Sequence, residues 1–359
     1  MKEHVVRTGG SYRGPKDLAA WTLAAMIACA SAPGASEREP VGSGLAVDAP
    51  KGSEDGDPRE IPEPVRDSIR SAQEWLKKQQ LADGSWPGSS GDAALAILAL
   101  MVDGSGPGTG AYGREVALGT RYLLSCQRPS GLFYKPHMKS PPMYCHGFAV
   151  LCLSEVWGMS ADPSIREALK KAVRLTARTQ SSTGGWRYNP VPGDADLSVT
   201  VTQIVALRGA LDAGVAVPEN TIKKAIEYVK GSFVAEPGGF AYTLGGSEAN
   251  ITRAGAGMLS LQMCGEYDIR EVKLATAYIN ASGRELEGEG HYFYGMYYVT
   301  QAMYQTRDSK AWNEWYERAC KSLMSRQDKS LGGFGEIHDT AFAVLALGVP
   351  YRYLPIYQR

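Results

Sequence analysis

The 359-residue chain has no apolar run long enough to cross a bilayer: its longest, Leu18 to Ala30, is about 13 residues where a spanning helix needs roughly 20. Net charge is absent as well. Thirty-eight basic residues balance 38 acidic ones, which argues against a polyanion-binding surface and removes nucleic acid from the expected partners. Cysteine is scarce. Six scattered residues (Cys29, Cys126, Cys145, Cys152, Cys264 and Cys320) make no disulfide framework, and most sit among apolar residues as small buried hydrophobes. No phosphate-cradling glycine loop, dinucleotide fingerprint or Ser-His-Asp order occurs in a context that supports it.

What is present begins with a basic start. Lys2, Arg7, Arg13 and Lys16 precede the short apolar run, small residues follow it, and Ala28-Cys29-Ala30 offers a cleavage site. This layout predicts a signal peptide over residues 1–30 and an exported, periplasmic or secreted protein; an ordinary N-terminal helix of a cytoplasmic protein is the alternative. Residues 31–63 are rich in Pro, Gly, Ser and acids, with almost nothing to bury, and read as a disordered linker.

From residue 64 to 348 one pattern recurs: an amphipathic helix, a Gly-aromatic turn, then a helix of Ala, Leu and Val. The first copy is Trp75-Leu76, Gln80, Gly84, Trp86, and the second Tyr122-Leu123, Gln127, Gly131, Phe133. Partial copies follow at Gln180, Gly184, Trp186, at Gly239-Phe240, and at Gln327, Gly332, Phe334, with a degenerate one around Gly288 to Tyr294. Glycine permits a positive φ, the aromatic plugs the gap between hairpins, and the glutamine amide is expected to satisfy unpaired helix-end groups. The second helix of each pair is apolar all round and therefore buried. Six such pairs predict an all-α fold, an (α/α)6 toroid with the apolar helices as its inner ring. An open superhelix of tetratricopeptide or HEAT type is the alternative. Residues 349–359, broken by Pro350 and Pro355, are expected as a tail lying back over the barrel.

The glutamine, glycine and aromatic positions just quoted resemble the QW repeat of squalene-hopene cyclases, within the terpenoid cyclase and protein prenyltransferase superfamily. That resemblance implies the toroid already expected. It also implies an acidic motif, Asp-x-Asp-Asp, whose middle Asp protonates an alkene or epoxide. Asp194 and Asp196 match it crudely, with Leu197 in place of the final Asp; aligned without gaps on the following helix, Ser198 falls at the acid position. The prenyltransferase branch implies zinc held by an Asp-x-Cys pair and a His. Tyr144-Cys145-His146 and Asp196-Leu197-Ser198 resemble these pieces, but the thiolate is missing and the order is reversed. The thioester of complement proteins, which share the toroid, is absent, because Met263-Cys264-Gly265-Glu266 lacks the following Gln.

Each Gly-aromatic turn leads into an inner-helix N-terminus, so these six ends should gather around one mouth. The polar residues there are Asp92, Cys145, His146, Asp194, Asp196, Ser198, Asn250, Arg253, His291, Tyr294, His338 and Asp339. Helix capping is the plainer role for Asp92, Asn250 and Asp339. Asp194, Asp196 and His146 are the catalytic candidates; His146, Asp196 and His338 the metal candidates; and Trp186, His291, Tyr294 and Tyr298 the expected cavity lining. Three functions follow as expectations: a cyclase-like cavity for an isoprenoid or other lipid, an exported module binding a protein or peptide at its mouth, and a zinc-assisted transferase.

Overall fold

The computed structural model describes residues 61–352 except 136–139, 161, 283–285, 287–290 and 307, together with Leu354 and Ile356. The expected signal peptide, nearly all of the expected linker and most of residues 353–359 lie outside the described residues, as does much of the degenerate fifth turn.

The outer helices are α1 (Glu63–Gln79), α3 (Gly113–Ser125), α5 (Pro163–Arg178), α7 (Glu219–Gly231), α9 (Arg270–Ala281) and α11 (Ser309–Ser325). The inner helices are α2 (Ser90–Met101), α4 (Pro142–Met159), α6 (Leu197–Asp212), α8 (Ile251–Met263), α10 (Tyr292–Gln305) and α12 (Ile337–Leu347). Each inner helix packs on the next, and α12 packs on α2, so the ring closes and the open superhelix is ruled out. Only the outer helices carry a polar stripe. On α2 every residue but Asp92 is buried, whereas α7 buries only Thr221, Ala225, Tyr228 and Val229.

The repeat residues build the joints. Gly84, Gly131, Gly184 and Gly332 all have positive φ, and a Cβ on each would strike a backbone carbonyl of an outer helix (Leu118, Lys171, Lys224 and Ser71). Beside them, the amides of Gln80, Gln127 and Gln180 each donate to the turn glycine's carbonyl and to a carbonyl of the next outer helix (Glu115, Ala168 and Thr221). Sequence reasoning expected these amides to serve unpaired helix ends; instead they staple each turn to its neighbouring hairpin. Gln327 completes the circle. Its Nε2 donates to Gly332 O and to Ser68 O on α1, and Ser68 Oγ donates back to its Oε1 at 2.8 Å. Trp86 and Trp186 donate their indole N–H to carbonyls of the preceding outer helix, Leu76 and Thr176.

One local elaboration occurs in the fourth hairpin, where a plain Gly-aromatic turn was expected. The chain there forms a small antiparallel sheet, order β1-β2-β3, from Phe233–Val234, Gly239–Ala241 and Ala249–Asn250. Phe240 pairs with Phe233 on one side and Asn250 on the other, and its ring fills the space against Gly257. After α12 a turn of 3-10 helix (Val349–Tyr351) leads to Leu354 and Ile356, both buried; the Ile356 N–H donates to Glu155 near the end of α4.

Candidate active site

The inner-helix N-termini surround a cavity of about 590 Å³, lined by residues from the first two turns of all six. Helical geometry sorts the lining into layers, since residues four apart stack along one face. The upper layer is Gly91, Tyr144, Ser198, Thr252, Tyr294 and His338. One turn below lie Leu95, Phe148, Ala256 and Phe342. At the corresponding positions of α6 and α10, Thr202 and Tyr298 hydrogen-bond to each other at 3.0 Å and close the barrel. Below this layer the interior is filled by buried side chains, so the site is a bowl with an apolar floor. Its rim is polar: Ser89, Asp92, Asn250, Arg253 and His291, with Tyr188 and Tyr242 joined hydroxyl to hydroxyl at 2.6 Å.

The rim residues are held by local capping. Ser89 and Asp92 form a reciprocal capping box at the start of α2, and Asn250 caps α8 through the Arg253 N–H. Arg253 is fixed by the carbonyls of Phe240 and Glu248. Asp92 also accepts from His338 Nδ1 across the α2–α12 seam, at 3.1 Å. Burial works to raise the Asp92 pKa, but the bonds from His338 and Ser89 outweigh it and hold the carboxyl below its ordinary value. The same bond raises His338.

Asp196 caps α6 and is fully buried. Its Oδ1 accepts from Ser198 Oγ at 2.5 Å and from the Val199 N–H at 2.9 Å; its Oδ2 has no hydrogen-bond partner in the described structure, with Arg187 Nε 3.7 Å away. Desolvation pushes its pKa up. Ser198 in turn accepts from Tyr144 OH at 2.7 Å. Asp196 thus stands one residue behind the wall and reaches the bowl through the Ser198 hydroxyl and the Tyr144 phenol. Asp194 is exposed and bound to Arg187 at 2.5 Å.

His146 faces away from the bowl. Its Nδ1 accepts the Phe133 backbone N–H at 3.3 Å and its Nε2 meets Thr176 Oγ1 at 3.0 Å, which fixes a neutral ring with the proton on Nε2. Full burial lowers its pKa to about 3. Thr200 and Thr340 accept the corresponding N–H of Trp186 and Phe334 in their own hairpins, so His146 occupies a scaffold position of the repeat. His146, Asp196 and His338 therefore serve three different neighbourhoods, and no group of three His, Cys, Asp or Glu side chains fit for a metal occurs among the described residues.

Of the expected lining, His291 and Tyr294 face the bowl. Trp186 and Tyr298 do not: the first is buried against α5 through its indole, and the second closes the layer beneath. Sequence reasoning passed over Tyr144 as a wall residue and Leu95, Phe148, Ala256 and Phe342 as a floor. Aligning the inner helices on HGFAVLCL, DAALAILAL and DTAFAVLAL places Phe148, Leu95 and Phe342 at one position, a signal that was available.

No protein-family model matches the chain. An alignment 142 residues long, covering 36% of the chain, is 30% identical to lanosterol synthase of Saccharomyces cerevisiae, of which it spans only 19%. Solved structures share the fold. An α-1,6-mannanase of Salegentibacter sp. HEL1_6, in an inactive variant bound to α-1,6-mannotriose, superposes with a TM-score of 0.62 at 11% identity, over 80% of this chain and 99% of that one. The type II terpene cyclase MstE of Scytonema, bound to geranylgeranyl dihydroxybenzoate, gives 0.57 at 15% identity over 81% and 98%. The chain shares its α/α toroid fold with this mannanase and this terpene cyclase.

Proposed function

We propose that the bowl binds a small amphipathic molecule, an isoprenoid or similar lipid, with its apolar body on the Leu95, Phe148, Ala256 and Phe342 floor and its polar end at the rim. The observation that carries this reading is the division of one cavity into an apolar floor and a polar rim one helical turn apart. Its volume of about 590 Å³ suits a ligand of drug-like size. The terpene cyclase bound to geranylgeranyl dihydroxybenzoate, an apolar chain on a polar ring, supports it by analogy of fold.

In this reading Asp196 is the acidic group of the site, acting through Ser198 and Tyr144, because burial raises its pKa and hydrogen bonds connect it to the wall. Asp194 steadies Arg187 beside it, and His146 holds the Phe133 turn behind Tyr144. A second reading, an oligosaccharide site, draws on the hydroxyl-rich rim and on the mannanase neighbour.

Calorimetry and native mass spectrometry on the purified chain decide between them. Geranylgeranyl dihydroxybenzoate is expected to bind, and Ala256→Phe, which places a ring in the floor, to weaken it at least tenfold, roughly the loss of one good apolar contact surface. Binding of α-1,6-mannotriose with no binding of the geranylgeranyl compound would establish the second reading. Binding of neither would leave the mouth as a protein or peptide surface.

A further inference from the structure

On the flank of the bowl away from Ser198, the α2–α12 seam brings together three side chains that the reading above does not use. His338 is half-exposed and lines the bowl, directly above Phe342 on α12. Asp92, largely buried, comes from α2 and accepts the Nδ1–H hydrogen bond of the imidazole at 3.1 Å. Asp92 is itself immobilised, because its Oδ2 accepts both the backbone N–H and the hydroxyl of Ser89 at 2.6 and 2.7 Å. An ionised carboxylate so fixed dictates the Nδ1–H tautomer, leaving Nε2 as the ring nitrogen free to exchange a proton. Asp339 Oδ1 lies 3.6 Å from Nε2, too far for a hydrogen bond but close enough to favour an imidazolium.

We propose that His338 is an acid–base residue of the bowl, oriented by Asp92 as its positioning residue, and that it acts on a hydroxyl carried by a ligand whose apolar body lies on Phe342. In the step assigned to it, the Nε2 lone pair takes the hydroxyl proton; the O–H bond breaks and an N–H bond forms. The resulting oxyanion stands beside an imidazolium whose charge Asp92 and Asp339 balance. In the reverse direction the imidazolium returns the proton. The hydroxyl lies one helical turn, about 5 Å, above the floor, so the ligand class is an alcohol or phenol with its apolar body close to the oxygen. This assignment rests on the bowl being a ligand site.

The charged and titratable groups facing His338 are Asp92 from α2, Asp339 of its own helix, Glu336 just before that helix, and His291 of the α10 lead-in, which lines the same bowl. Diethyl pyrocarbonate acylates only the neutral imidazole nitrogen, so the rate of His338 modification against pH, followed by peptide mass spectrometry, reads its titration directly. In the wild-type chain the midpoint is expected above that of an ordinary histidine, and Asp92→Asn, which keeps the shape and the cap, is expected to lower it by about one pH unit. Asp339→Asn should lower it less. Geranylgeranyl dihydroxybenzoate should slow the modification at least tenfold. An unshifted midpoint in Asp92→Asn, with the fold intact by circular dichroism, would overturn the pairing. A shifted midpoint with protection by α-1,6-mannotriose alone would support the acid–base assignment while overturning the lipid reading of the bowl.

Discussion

The seam between the last and first hairpins is stapled by Gln327 in addition to the packing of α12 on α2, and Gln327→Ala measures what that staple adds. The residue is 8% exposed and makes three hydrogen bonds: from Nε2 to Ser68 O at 2.9 Å, from Nε2 to Gly332 O at 2.7 Å, and from Ser68 Oγ to its Oε1 at 2.8 Å. A typical bond contributes about 1 kcal/mol net, and a buried hydroxyl left unpaired costs about 1–3 kcal/mol. Ser68 is buried, so the substitution is expected to cost about 2–4 kcal/mol. Gln127→Ala removes the same two carbonyl contacts inside the array, to Gly131 and Ala168, with no hydroxyl orphaned, and should cost about 1–2 kcal/mol. Urea unfolding of both variants, with Ser68→Ala and the Ser68→Ala/Gln327→Ala pair, gives the coupling energy. The expected coupling is about 1 kcal/mol or more. A cost for Gln327→Ala no larger than that for Gln127→Ala, with no coupling to Ser68, would refute the idea that this staple strengthens the closing seam.

Two further perturbations probe the frame around the site. Glu155, buried beneath the barrel floor with Oε2 unpartnered in the described structure, is pushed by desolvation up to about 8, although the Ile356 N–H pulls the other way. A carboxyl raised in the folded state binds a proton that the unfolded chain has released, so its contribution to stability is fully present below about pH 4.5 and is lost as pH rises towards 8. Glu155→Gln should therefore flatten the fall in stability between pH 5 and 8, by up to roughly 3 kcal/mol at pH 7, which unfolding at a series of pH values will show. Gly184→Ala drives a Cβ to 2.1 Å from Lys224 O at a φ of +100° and should cost more than about 3 kcal/mol, whereas Gly214→Ala, at +74° with nothing within 4 Å, should cost about 1–2 kcal/mol. Equal thermal shifts for the two would mean that the turn glycines are not needed for close approach.

Sequence alone determined the hairpins, their number and which helix of each pair lies inside. Glycine and glutamine at fixed spacing leave few other joints, and only a helix without a polar stripe is stable when surrounded on all sides. Tertiary structure decided what faces the bowl. An inner helix apolar all round carries no stripe to set its rotation, so whether Tyr144 or its neighbour His146 points to the axis depends on the packing of α4 between α2, α5 and α6. The same holds for Asp196. Its position at a helix start could be read from the sequence, but its burial behind Ser198 comes from Trp186 and the Tyr242 carbonyl pinning the strand-like entry to α6. The Asp92–His338 pair joins residues 246 positions apart, and only ring closure, which brings α12 against α2, makes them neighbours.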